Sequence, residues 1–360
     1  MTVDDNNIIW LDLFSFLSYS KKAKLINLFR GKNIREEIVK SQEVKEILSD
    51  NDLNQMCLLT SDVYFSRQVE KFKSDGIEMI TINDPRYPYL LKQIYDPPFC
   101  LYCKGNVDLL NSYCVGVVGS RKITEYGTIV TKEYVKAMCE NNITIVSGLA
   151  AGVDSVAHKT ALESGGNTIA VLAGGLYHIY PSFNSNLAKT ITENNLILSE
   201  NSPDTRPLAY FFPIRNRIIA GLSKAVLLTE AGKKSGALHT KNYAIDNNRE
   251  VFAVPGRINS PMSEGTNAII KELQGAITLS PADMLESLGF KKANKKEQNV
   301  QVDLTDQPIL DFIKSEKKTF QQIADHLNMP ANELNIKLME LEMEGLIEKL
   351  PNNSYISANL

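Results

Sequence analysis

Residues 211–240, FFPIRNRIIAGLSKAVLLTEAGKKSGALHT, gather side chains suited to a flat, charged ligand. Phe211 and Phe212 precede Pro213, and Arg215, Asn216 and Arg217 follow. Aromatic rings stack on bases, and a guanidinium presents a fork that matches phosphate oxygens. An apolar run then leads to a small-residue turn, Ser235-Gly236-Ala237. The stretch points to nucleic acid or a nucleotide rather than to a small neutral metabolite. Arg215 and Arg217 stand two apart and diverge on a helix. One is expected to grip phosphate and the other to pair internally, with Glu230 as a partner. At least one of the two phenylalanines is expected in the core. Asn216, Ser235 and Gly236 add polar contacts, and Lys241 is a further phosphate candidate against the default of a solvated lysine.

Two glycine turns repeat one device. Gly116-Val117-Val118-Gly119-Ser120-Arg121 follows an apolar run, where glycine lets backbone N–H groups approach a phosphate at a helix N-terminus. Arg121 adds a bidentate donor. The spacing departs from the dinucleotide fingerprint, which needs a third glycine and an acid after the second strand. Ser147-Gly148-Leu149-Ala150-Ala151-Gly152-Val153-Asp154 repeats the arrangement, with Ser147 placed to meet a phosphate and Asp154 to cap the next helix through Ala157 and His158. A third turn, Ala173-Gly174-Gly175, is followed by Tyr177 and Tyr180. His158 has no nucleophile or carboxylate constellation around it in the sequence and reads as a packed histidine. No catalytic residue emerges. Cys100 and Cys103 form a CxxC without a second pair at zinc-ligand spacing, so no metal is expected and small core residues are the simpler reading.

The elements that must carry these turns are legible as short apolar runs. They are Tyr113–Val118, Ile143–Val146, Thr168–Leu172, Leu196–Leu198, Ala225–Thr229, Glu250–Val254 and Ala276–Leu279, alternating with helix-length segments. Continuous rather than alternating hydrophobicity marks strands covered on both faces. The fold class is therefore α/β, a Rossmann-like, doubly wound, mostly parallel sheet, with the glycine turns at its carboxyl edge. Residues 8–75 read as short helices, giving a separate helical domain over 1–76, and the Rossmann-like domain covers 77–290. KKANKKEQN, within residues 291–300, reads as a basic linker. Residues 301–360 give three helices and a hairpin tipped by Asn352-Asn353, a winged-helix pattern.

The net charge of −3 is unevenly distributed. Residues 1–106 carry −1, 107–290 carry 0, 291–300 carry +3 and 301–360 carry −5. Phosphate affinity must then come from local clustering in the middle segment. No apolar run approaches the roughly 20 residues of a membrane helix. The polar N-terminus does not read as a signal peptide, so a cytoplasmic protein with reduced thiols is expected. The second helix of the winged-helix motif, Ala331 to Gly345, carries Glu333, Glu340, Glu342 and Glu344 against Lys337, so it is expected to contact protein rather than duplex DNA.

VGVVGSRKITEYG, SGLAAGVDSVAH, GGLYHIYP, LSENSP, FPIRNRIIAGLS, EAGKKSGALHT and REVFAVPG occur in that order. With the lead-in YPYLLKQIYDPPFCLYCKGN they resemble the DNA-processing protein A (DprA, also called Smf) family over roughly residues 80–290. The resemblance implies a protein that binds single-stranded DNA, forms a homodimer through the Rossmann-like domain and helps load the RecA recombinase, protecting incoming DNA during natural transformation. Single-strand-binding protein is a further implied partner, and no cofactor is implied. It makes residues 1–76 a SAM-like domain, although Ser18-Tyr19-Ser20 stands where a DNA-gripping turn would be Gly-rich. Carried over by position, the DNA pocket holds Gly119, Ser120, Arg121, Ser147, Gly148, Phe212, Arg215, Asn216 and Lys241, while Gly174 and Gly175 shape it. The fold is shared with nucleoside-monophosphate phosphoribohydrolases, which makes a nucleotide-processing enzyme the alternative. That alternative needs a PGGxGT-type loop where this chain has EAGKKSGALHT.

Overall fold

Small and branched apolar side chains, bounded by glycine turns, produce nine strands of one sheet. They are β1 (Ile77–Thr81), β2 (Cys100–Gly105), β3 (Cys114–Val118), β4 (Thr144–Ser147), β5 (Thr168–Val171), β6 (Leu196–Ser199), β7 (Ala225–Leu228), β8 (Glu250–Ala253) and β9 (Ala276–Ile277). The computed structural model describes residues 2–38, 40–57, 62–290, 306–313, 316–343, 346–350 and 354–357. All seven expected runs are strands, and every residue of β3 to β7 is buried, as helices on both faces require.

The strand order is β1-β2-β6-β5-β4-β3-β7-β8-β9. From β6 to β9 all neighbours are parallel, whereas β2 runs antiparallel to both β1 and β6. β2 lies in the Pro- and Tyr-rich lead-in, where no strand is expected from the pattern. Cys100 and Cys103 belong to it and are fully buried, and burial raises both thiol pKa values. The chain winds from β3 outward to β6 and then returns to the other side of β3 with β7. That reversal leaves a crevice at the carboxyl ends of β3 and β7.

The chain forms two compact units, 1–291 and 292–360. Residues 1–76 are helical as expected and share the first compact unit with the sheet. Ile8, Trp10, Phe14, Leu25 and Phe72 share one apolar cluster with Met79 and Tyr102 of β1 and β2 and with Ile197 of β6. Thr81 Oγ1 also donates to Asp5 at 2.5 Å. Ser18 caps the helix Tyr19–Leu28, accepting from Lys21 N–H at 3.4 Å.

In the second unit, helices Gln307–Ile313, Phe320–Leu327 and Ala331–Met343 pack on a sheet of β10 (Lys318–Thr319), β11 (Ile347–Leu350) and β12 (Ser354–Ser357), in the order β10-β12-β11. Ile309, Ile313, Ile323, Leu334, Leu338 and Tyr355 form its core. Asn328 ends the second helix in the left-handed region at φ 49°, making the turn into the third. Glu333, Glu340 and Glu342 are exposed, and Lys337 pairs with Asp306 at 2.5 Å. The expected linker, the Asn352-Asn353 tip, Glu344 and Gly345 lie outside the described residues. Among the described residues no helix is long and apolar enough to cross a membrane.

Candidate functional site

The crevice at β3 and β7 is an open cleft of about 820 Å³. Three segments build it. The loop after β3 supplies Gly119, Ser120, Arg121 and Lys122, the helix Phe211–Leu222 supplies Phe212, Arg215 and Asn216, and the turn after β7 supplies Lys233, Lys234, Ser235 and Gly236. The helix Ala237–Asp246 begins in the cleft wall, where the N–H groups of Ala237, Leu238 and His239 are engaged by Ser235 and Gly236.

Close backbone packing explains the glycines. A Cβ on Gly119 would lie 2.5 Å from Val153 Cγ2 and 2.6 Å from Glu230 O. Gly152 stands at φ 79°, and its Cβ would meet Ser120 O at 2.1 Å. The loops after β3 and β4 are thus pressed together, with Val153 N–H donating to Ser120 O at 3.1 Å. Ser120 N–H donates to Glu230 O at 2.7 Å, and Ser120 Oγ exchanges bonds of 3.0 Å with Lys122 N–H and Lys122 O. The Ser120 backbone N–H is therefore already engaged, and cationic side chains supply the free donors.

Arg121 is exposed, with its guanidinium 5.4 Å from the Phe212 ring centre. The Phe212 ring in turn packs edge-on against Tyr180, centre to centre 5.4 Å. Phe211 and Phe212 are both only half buried, so neither takes the core position expected of one of them. Arg121, Lys122, Lys233 and Lys234 are exposed, and no carboxylate pairs with them among the described residues. Lys122, Lys233 and Lys234 are not among the residues expected from sequence. Their signal is position, since each stands directly in a turn after a parallel strand at the carboxyl edge.

Arg215 borders the cleft from beneath. It is buried, donates Nη1–H to Gly148 O at 2.7 Å and to Val171 O, and donates Nε–H to Asn216 Oδ1 at 3.1 Å. Burial lowers its pKa to about 10, with Asp154 opposing and Arg121 adding repulsion. Asn216 also donates to Gly236 O at 3.3 Å, tying the helix to the Ser235-Gly236 turn. Gly148 is there because Arg215 lies on it, a Cβ falling 2.4 Å from Nη2.

Several expected contacts are internal instead. Ser147 is fully buried and donates Oγ–H to Val117 O at 2.7 Å, joining β4 to β3 beneath the cleft. Arg217 is buried and pairs with Glu200 and with Asp96 at 3.0 Å, not with Glu230. Burial works against its charge, and the two carboxylates outweigh burial and hold its pKa above the ordinary value. Glu230 accepts from Thr124 N–H at 2.8 Å and Thr124 Oγ1 at 2.6 Å. Lys241 is buried on the far side of its helix, donating to Gln274 Oε1 at 2.6 Å. Asp154 does not cap through Ala157 and His158; its Oδ2 accepts from Gly148 N–H at 3.1 Å and Ala150 N–H at 3.3 Å. Burial raises the Asp154 pKa, while Arg215 and those N–H groups pull it down. His158 is packed as expected, with Nδ1 2.7 Å from Thr168 Oγ1, and burial with Arg215 lowers its pKa to about 3.

Residues 78–289 match the family model for DNA recombination-mediator protein A, and residues 293–353 match the DprA winged helix domain. DNA processing protein DprA of Bacillus subtilis is 41% identical over 236 residues, spanning 65% of this chain and 77% of that protein. The crystal structure of DNA processing protein A from Streptococcus pneumoniae superposes with a TM-score of 0.69 at 34% identity, covering 79% of this chain and 98% of that one. DNA processing protein A from Helicobacter pylori, whose structure addresses its single-stranded DNA binding mode, superposes with a TM-score of 0.54 at 32% identity over 59% of this chain and 95% of that one.

Proposed function

Because this chain belongs to the DNA-processing protein A (DprA/Smf) family, we propose that it binds single-stranded DNA in the cleft at β3 and β7. The observation that supports this most is the set of four exposed cations, without carboxylate partners among the described residues, beside an aromatic contact: Arg121, Lys122, Lys233 and Lys234 around half-buried Phe212 and exposed Tyr180. Aromatic faces accept any base, and the cations neutralise successive phosphates. The cleft offers charge and stacking, which suit holding a strand. Ser120, Ser235 and Gly236 shape its wall, and Gly119, Gly148, Arg215 and Asn216 hold that wall in place.

Protection of incoming strands and loading of RecA in transformation and recombination are the wider role we propose. The description of the matched family as a recombination mediator supports it. Single-strand-binding protein is a further proposed partner. The proposed homodimer has a suitable surface at β9. This strand ends the sheet with an open edge, and Leu273 and Leu279 beside it are 91% and 73% exposed.

Arg121→Ala tests the cleft. The variant should bind single strands more weakly, and the slope of log affinity against log salt should shrink by about 0.7. Fluorescence anisotropy across a salt series measures both. An unchanged affinity and slope would remove Arg121, and the cleft with it, from DNA binding.

A further inference from the structure

Beyond Tyr180, which lines the cleft, further exposed rings stand outside the cleft wall. Tyr180 is 53% exposed, Phe183 70% and Tyr210 58%, with Leu208 at 48% beside them. Large rings this exposed are poorly placed for folding, since each leaves apolar area in water. Phe183 and Tyr210 are carried by the loops that follow β5 and β6, at the carboxyl edge next to the cleft.

Those two loops are built as one surface. Gly175 N–H donates to Thr205 O at 2.8 Å, and Tyr177 N–H to Pro203 O at 3.1 Å. A Cβ on Gly174 would strike Pro207 N at 2.9 Å, and one on Gly175 would strike Ser202 O at 2.1 Å. The short 3-10 helix Ser182–Asn184 is pinned from below, because Asn184 Nδ2 donates to Leu149 O at 2.9 Å and to Ser155 Oγ at 2.8 Å. Phe183 is therefore held outward on a fixed base. Ring contacts reach this surface from the cleft: Phe212 touches Tyr180, and on the same helix Phe211 touches Tyr210 at 4.4 Å between centres. Arg206, exposed in the loop after β6, adds a cation to that loop.

We propose that the loops after β5 and β6 form a second stacking platform, on which a single strand leaving the cleft continues across Phe183 and Tyr210. This rests on the cleft reading above, and it adds a direction, because the strand extends from the cleft toward β6. A nucleic acid suits the row better than a protein partner does. Phe183 follows Tyr180 of the cleft wall by three residues and Tyr210 precedes Phe212 by two, and base stacking on aromatic rings needs no matching sequence.

The test compares the double variant Phe183→Ala, Tyr210→Ala with the unchanged protein on oligothymidylates of about four and about sixteen nucleotides, lengths that bracket the site sizes of stacking proteins. The longer oligonucleotide should bind the variant about tenfold or more weakly, and the shorter one equally well. A second measurement uses Phe183→Trp. The chain has a single tryptophan, Trp10, which is fully buried, so a tryptophan at 183 supplies the exposed emission. Its emission should be quenched by the long oligonucleotide and not by the short one. An undiminished affinity for the long oligonucleotide, an equal loss at both lengths, or an unquenched Phe183→Trp overturns the platform. A protein-docking role for the rings would give the first of these results. Failure of the cleft reading is seen separately, as an Arg121→Ala variant that binds both lengths like the unchanged protein.

Discussion

At the scale of single residues, burial sorts the basic side chains into two kinds. Arg121, Lys122, Lys233 and Lys234 face solvent without carboxylate partners among the described residues, and Arg215, Arg217 and Lys241 are buried and engaged. Arg217→Ala should therefore act on folding rather than on DNA. It strands Glu200, whose carboxyl burial already raises, and should lower stability by about 3 kcal/mol. This is the low end for a buried pair, because the Asp96 side chain is 37% exposed. Urea unfolding measures the loss, and the salt slope of DNA binding should stay unchanged. A shallower salt slope without loss of stability would return Arg217 to the DNA site. The sequence marks Arg215 and Arg217 as special but not their partners, since Asp96 and Glu200 come from distant loops. Lys241 is misleading for a related reason. It sits one turn inside a helix whose start lines the cleft, and its own face turns to Gln274.

At the scale of elements, the site is a set of loops clamped by missing side chains. Gly148→Ala should push Arg215 off the carbonyls of Gly148 and Val171, since the added carbon would sit 2.4 Å from its Nη2. The expected cost is about 1–3 kcal/mol, the range for overpacking a well-filled interior. The same shift would disturb Asn216, so DNA affinity should fall together with the urea midpoint. Unaltered stability would mean that the loop has room to move. The parallel strands were legible because burial on both faces writes itself as unbroken apolar runs. β2 was not, because Pro97 and Pro98 precede it and its polar end, Lys104-Gly105, masks the run. Nor does an apolar helix state what it packs on, so Trp10 and Phe14 read equally well as a private core or as a cover for β1 and β2.

At the scale of the whole molecule, charge separates the two units. Residues 301–360 carry −5, and the exposed face of the helix Ala331–Met343 presents Glu333, Glu340 and Glu342. Removing residues 292–360 should leave the first unit folded and its single-strand affinity within about twofold, because the four cations proposed to meet phosphates all lie in the first unit. Anisotropy and thermal melting on the truncated chain check this, and a severalfold loss of affinity would assign DNA contacts to the winged-helix unit. The cleft belongs to a segment, 107–290, that is neutral as a whole. Its four unpaired cations make a field that salt confines to about one Debye length, roughly 10 Å at 0.1 M. Such a field acts on a strand at close range, and any help it gives to encounter falls as salt rises. Affinity differences at such sites fall mostly on dissociation rather than association. On the proposed reading, the cleft is a device for residence time: its cations and rings set how long a bound strand stays.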